Sequence, residues 1–186
     1  LNRRIAPHRI ILLSLLKNSN LLNQVNYSLD LTLSVTEDIG LDLATGTAYN
    51  KDPYLKNDKF KNNTINGFFK LKKIKKKVVD FDDISNVWGF GFEQKQNYVD
   101  SYFSVITETL FYEYGHYISE KSFKGIQHLH PFVIVGKPGI LKYLKSKGFK
   151  TFSEFWDESY DDIVDNSDRM EALYTLVESL INKTNE

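Results

Sequence analysis

Four side chains suited to gripping an anion fall within seven residues: Arg3, Arg4, His8 and Arg9. Guanidinium forks match phosphate oxygens in pairs, and a cluster just ahead of a helix could present them together. The same arginines could equally pair with surface carboxylates. His8 is open in the same way, a phosphate donor or proton carrier on one reading and a structural imidazole on the other. A second group lies about a hundred residues on. Ser119 has the character of a helix N-cap, which sets Glu120 and Lys121 in the first helical turn. Free N–H groups and the positive end of the helix dipole favour an anion there, Lys121 adds a full charge, and a diphosphate fits. Glu120 could accept both hydroxyl hydrogens of a ribose, or merely complement the dipole beside a solvated Lys121.

Other chemistries lack their residues. Gly136-Lys137-Pro138-Gly139 is too short for a phosphate-cradling Walker loop and reads as a tight strand-to-helix turn. No G-x-G-x-x-G fingerprint and no G-x-S-x-G nucleophile elbow occurs. With no Cys, disulfides, thiolate metal sites and cysteine nucleophiles are excluded. His116, His128 and His130 have no carboxylate at a recognised ligand spacing. Asp82-Asp83 and the group Asp157, Glu158, Asp161 and Asp162 read as solvated acidic loops. Neither a metal nor a cofactor is expected.

These groups need elements to position them. Pro7 suits the first turn of a helix, and Ile10, Ile11, Leu12, Leu13, Leu15 and Leu16 continue it until Asn18-Ser19-Asn20. Residues 25–33 alternate partly at period two and predict a short strand. Residues 40–98 read as an irregular insertion, broken by Gly46, Pro53, Asn62, Asn63 and Gly67 and containing a lysine run over 70–77. A regular rhythm begins near residue 99. Residues 101–109 predict a buried strand, 119–129 a helix with Phe123, Ile126 and Leu129 on one face, and 131–136 a parallel-sheet strand. Residues 138–147 predict a helix capped by Gly148, 151–155 a last short strand, and the stretch from Met170 a helix capped by Ser167 or Asp168. Strand–helix–strand–helix order with short loops implies an α/β, Rossmann-like parallel sheet flanked by helices. The opening helix fits that scheme if a strand precedes Leu1, so the expectation is one domain over 1–186, a fragment truncated at its first strand. In such sheets ligands bind beyond the carboxyl ends of the strands, so residues 2–9, 108–121 and 136–139 are expected to converge there.

Composition sets the outer limits. The 24 Lys and Arg balance 24 Asp and Glu, which removes any global charge argument for a nucleic-acid or membrane partner. At 41% hydrophobic, with 13 Phe and 11 Tyr, the chain can bury a real core and is not wholly disordered. No leader pattern and no run of roughly 18 apolar residues occurs, so no membrane segment and a cytoplasmic location are expected.

Several of these blocks carry a family likeness. Leu1-Asn2-Arg3-Arg4 with Pro7-His8-Arg9 resembles the opening of a family of phage and bacterial glycosyltransferase-like proteins. Residues 117–124 (YISEKSFK), His130-Pro131-Phe132 and Gly136 resemble the same family, as do residues 148–152, 156–161 and Asp168-Arg169. The Ser119-Glu120-Lys121 step is similar to the nucleotide-sugar motif of α-1,3-fucosyltransferases. The likeness spans residues 1–30 and 100–175. It implies the C-terminal, donor-binding half of a GT-B-type glycosyltransferase, with a nucleotide-sugar held between two Rossmann-like domains without a bound metal. On that resemblance Lys121 and Arg3 or Arg4 hold the diphosphate, Glu120 the ribose, and Glu108 and Glu113 line the cleft. The acceptor-side base then belongs to an N-terminal domain in cis. The alternatives are a non-catalytic Rossmann-like interaction module and a nucleic-acid-binding protein that uses Lys70 to Lys77.

Overall fold

The computed structural model describes residues 6–30, 55–74, 76–77, 95–111 and 117–184. Helix α1 (Pro7–Asn18) starts on Pro7, whose missing N–H is one of the donors a first turn leaves unpaired anyway. Nine of its twelve residues are buried, including its first six. Asn20 in the left-handed region turns the chain into a short 3-10 segment, Leu21–Gln24. Strand β1 (Leu29–Asp30) pairs antiparallel with β2 (Lys76–Lys77), so the strand expected over 25–33 is a two-residue bridge within the described residues.

The stretch read as an irregular insertion contains a 15-residue helix, α2 (Asp58–Lys72). The Asn57 side chain accepts from the Lys59 N–H at 2.9 Å, Asp58 sits in the first turn, and Lys70 and Lys72 sit in the last, all favourable to the helix dipole. Gly67, a helix breaker by residue type, is where α2 crosses α1. A Cβ there would lie 1.8 Å from the backbone oxygen of Ser14 and 2.5 Å from its carbonyl carbon. Thr64, Phe68 and Leu71 share that buried face. A short helix, α3 (Lys95–Val99), follows in the same stretch.

Strands β3 (Ser104–Thr107) and β4 (Phe132–Val135) are parallel, with Ile106 opposite Ile134, and form a two-stranded sheet among the described residues. All four β4 residues are buried, as expected for a strand covered on both faces. The connection runs through α4 (Glu120–Gln127), which lies so close to the sheet at Gly125 that a Cβ would meet Ile106 at 3.0 Å. On its far side β4 meets no further strand among the described residues. The Ile134 N–H instead donates to the Tyr160 hydroxyl at 3.3 Å, and Tyr160 is buried in a 3-10 turn, Ser159–Asp162. The strand expected over 151–155 is turn and bend, because Glu158 takes both the Phe152 N–H and the Thr151 hydroxyl, each at 2.7 Å.

Helices α5 (Ile140–Ser146) and α6 (Asn166–Lys183) complete the chain. Gly148 closes α5 at φ +85°, with the Phe149 N–H returning to the Leu144 carbonyl, the left-handed cap that glycine favours. Helix α4 ends the same way, the His130 N–H returning to Gly125, but Leu129 occupies the left-handed position and is 92% exposed. Neither Leu129 nor Phe123, which is 41% exposed, therefore joins an inward face, and only Ile126 of the three packs partly against the core. Asp165, rather than Ser167 or Asp168, caps α6 by accepting from the N–H groups of both. Met170, Leu173, Val177 and Ile181 are buried on α6 as their spacing predicts. No helix among the described residues is long and apolar enough to cross a membrane.

Candidate functional site

Two distant parts of the chain meet at the carboxyl end of β3. Arg9 donates from Nη2 to the Glu108 carbonyl at 2.9 Å and to the Thr107 carbonyl at 3.5 Å. His8 donates from Nε2 to the same Glu108 carbonyl at 2.9 Å. A carbonyl can only accept, so this nitrogen carries the proton, and buried Nδ1 is left without a donor. Burial, and then the adjacent Arg9 charge, push the His8 pKa down to about 3, so the ring is neutral. The ring stacks on Phe111, 5.4 Å between centroids and 10° between planes. The Arg169 guanidinium lies 4.3 Å from the centroid of the same Phe111. Arg169 is itself buried and donates to the carbonyls of Phe111, Gly136, Ile163 and Val164. These guanidinium groups bind chiefly backbone oxygens, Arg169 also donating to the Asn166 side-chain oxygen at 2.8 Å, and they brace loops rather than face outward.

The Glu108 side chain runs the other way. It is 1% exposed, and its carboxylate accepts from the Ser119 N–H at 3.1 and 3.2 Å, the Ser122 hydroxyl at 2.5 Å and the Thr109 N–H at 3.3 Å. It thus occupies the place at the start of α4 where an external anion was expected. The Ser119 hydroxyl accepts from the Lys121 N–H at 3.3 Å, the N-cap bond predicted for it. The Lys121 ammonium donates to that hydroxyl at 3.3 Å and to Glu120 Oε1 at 3.0 Å. Glu120 is the outermost of the group, its side chain 52% exposed against 24% for Lys121. Burial raises the Glu120 carboxyl, but the hydrogen bond and charge of Lys121 outweigh it and hold the group below its ordinary value.

The start of α5 is closed by the same device. Gly139, at φ +77°, precedes it, and the buried Asp161 carboxylate accepts from the N–H groups of Leu141 and Lys142 at 3.0–3.1 Å. Burial raises the Asp161 carboxyl, against the pull of those N–H bonds. Residues 136–139 form the tight turn expected between β4 and α5. The turn is tight at Gly136, where a Cβ would come to 3.3 Å from both Glu108 Cβ and Ile140 Cδ1.

Of the eight residues singled out, His8, Arg9, Glu108, Ser119, Glu120 and Lys121 therefore gather at one end of the parallel pair. Arg3 and Arg4 lie outside the described residues, as does Glu113. Among the histidines, His128 stacks on Tyr98 at 4.2 Å and His130 meets the Ser101 hydroxyl at 3.3 Å. No group of three possible metal ligands occurs among the described residues.

A groove of about 330 Å³ opens between the start of α4 and α5. Tyr117, Ile118 and Phe123 form one wall, and Tyr143, Leu144, Lys147 and Phe149 the other. Phe123 and Phe149 meet edge to face at 6.4 Å, and the Lys147 ammonium lies 5.3 Å from the Tyr143 ring centroid. Sequence periodicity places Phe123 inward, and Tyr117, Ile118 and Phe149 belong to the blocks that carry the family likeness, but no reading of the residues joins them with Tyr143 and Lys147 in one groove. The available signal was the aromatic content of 117–123 and 143–149, which only the packing of α4 beside α5 brings together.

The fold and site define a mixed α/β protein with a small parallel sheet, its connecting helix anchored at the carboxyl edge. Comparisons with protein-family models, curated proteins and solved structures find no match to this chain.

Proposed function

We propose that the chain is a Rossmann-like donor-binding domain of a GT-B-type glycosyltransferase, taking a nucleotide-diphosphate sugar at the carboxyl edge of β3 and β4. The observation that carries this reading is the meeting of the chain's opening helix with the start of α4 across Glu108, at the edge where open parallel sheets bind ligands. Glu108 already fills the α4 terminus, so the diphosphate lies in front of Lys121, met by its ammonium rather than by the helix N–H groups. Glu120 takes the ribose hydroxyls. The aromatic groove beginning at Tyr117 receives the base, whose flat face suits Tyr117, Phe123 and Tyr143. The reading includes Arg3 and Arg4 as further diphosphate ligands, an acceptor-binding domain in cis and a cytoplasmic setting.

Calorimetric titration with GDP, UDP and their sugar conjugates tests it. Lys121→Ala is expected to weaken binding by about 1.5–3 kcal/mol, the range for a charged hydrogen bond. An unchanged affinity removes Lys121 from the site. A second reading, a non-catalytic interaction module, is favoured by the internal carboxylates that occupy the starts of both α4 and α5. It expects no heat and no thermal shift with any nucleotide diphosphate.

A further inference from the structure

Charge is segregated in this neutral protein. Nine of its 24 basic side chains fall within residues 56–77, all of them lysine, against one of its 24 acids, Asp58. Helix α2 organises much of that segment. Its inner face, Thr64, Gly67, Phe68 and Leu71, packs on the core. Its outer face carries exposed Lys59, Lys61 and Lys70, Lys73 follows at its C-cap, and Lys77 extends the patch from β2. Lys70 donates to the Asn18 amide and Lys77 lies 4.3 Å from the Tyr27 ring centroid, so neither is neutralised by those contacts. Phe69 sits among these lysines and is 50% exposed, although its neighbour Phe68 is buried. At a 100° step per residue, Phe69 falls near the middle of the exposed arc, with Lys61 on one side and Lys59, Lys70 and Lys73 on the other.

We propose that this outer face of α2 docks on an anionic lipid surface, with Phe69 entering the headgroup boundary and the lysines on lipid phosphates. A helix lying in an interface presents its whole outer arc to a plane of charge, and long lysine stems reach that plane from both flanks. Fifteen residues give about 22 Å of such contact. Nucleic acid fits the same lysines less well. A duplex meets one line of the helix and gives an exposed phenyl ring nothing apolar to enter, and single strands are held on several stacking platforms, whereas among the described residues this face of α2 presents Phe69 alone. The inference is independent of the nucleotide-sugar reading.

The test is co-sedimentation of the full chain with vesicles of phosphatidylcholine alone and of phosphatidylcholine with 30% phosphatidylserine, beside a 25-base-pair duplex DNA. Binding is expected to the phosphatidylserine vesicles and not to phosphatidylcholine, weakening as salt rises. Lys70→Gln with Lys73→Gln is expected to lower partitioning at least tenfold, since each lysine near such a surface contributes about a fivefold factor. Phe69→Ser, an exposed change checked for folding by circular dichroism, is expected to lower it severalfold at a salt concentration where the lysines are screened. Equal binding to both vesicle types, no binding to either, binding to the duplex alone, or vesicle binding indifferent to Phe69→Ser would each overturn the proposal.

Discussion

Replacing Glu108 separates two accounts of the α4 terminus. The Glu108 backbone carbonyl, which His8 and Arg9 hold, survives any side-chain change, so substitution isolates the carboxylate. Bonds to a charged group are worth about 1.5–3 kcal/mol each, but the three donors share one carboxylate and their contributions do not add. Removal also strands the buried Ser119 N–H and Ser122 hydroxyl, at roughly 1–3 kcal/mol apiece where no water replaces the lost partner. We expect Glu108→Ala to lose about 3–5 kcal/mol. Glu108→Gln should lose about 1.5–3 kcal/mol, because the carboxamide keeps one acceptor oxygen for the cap. Urea denaturation followed by far-ultraviolet circular dichroism measures both, and an unchanged slope with denaturant shows that the native and unfolded states remain comparable. The alanine variant should also regain stability in formate more than the parent does, since a small carboxylate can enter the vacated cap. At ten times its dissociation constant the gain is about 1.4 kcal/mol. A loss below about 1 kcal/mol for Glu108→Ala would refute the reasoning. The α4 terminus would then not depend on an internal anion and would be open to a ligand phosphate.

Gly67→Ala has a sign that distinguishes local from tertiary control. Helix propensity alone favours alanine by about 1 kcal/mol, but the new Cβ would lie 1.8 Å from the Ser14 backbone oxygen with no flexible side chain to give way. We expect a net loss of about 2 kcal/mol or more, while exposed Asn66→Ala gains a few tenths; a stabilised Gly67→Ala would show that α1 and α2 do not cross there. For His8, a pKa pushed down to about 3 means that the folded state prefers the neutral ring, while the unfolded ring takes up its proton near pH 6.5. Its contribution is therefore complete above about pH 6.5 and is lost as pH falls toward 3. Unfolding free energies at pH 7 and pH 5 should differ by about 2 kcal/mol more in the parent than in His8→Gln, and identical pH profiles would place the imidazole in solvent.

What could be read from the residues was what their near neighbours decide. Pro7 starts α1, Ser119 caps α4 and Gly148 ends α5 because each acts within one turn of itself. Four apolar residues before a glycine became β4 for the same reason. The errors lie where a distant group decides. Gly67 reads as a helix breaker in isolation, and its meaning comes from Ser14, which approaches too closely for any other residue. Residues 151–155 have strand-like composition, yet Glu158 claims the Phe152 N–H that a strand partner would have used. Leu129 has the type of a core residue and the place of a helix cap, and the cap decides its exposure. Glu108 is the instructive case for the site. Its position after β3 marked it as near the cleft, but nothing in residues 104–109 says that its carboxylate turns inward to Ser119 and Ser122.

That inward turn constrains what the carboxyl edge can bind. Glu108 and Asp161 leave the starts of α4 and α5 already supplied with negative charge, so a second anion brought against either terminus meets repulsion in place of free N–H groups. Arg9 and Arg169 cannot offset this from outside, because their guanidinium groups are buried on carbonyls of the connecting loops. A phosphate approaching the edge must be met by side-chain cations that reach past the caps. Lys121 is such a cation, bound at present to the Ser119 hydroxyl and to the more exposed Glu120. The pairing makes the two residues a unit. On the proposed nucleotide-sugar reading, a phosphate offered to Lys121 would free Glu120 to turn toward hydroxyl donors, and a ribose beside a diphosphate would present both partners at once.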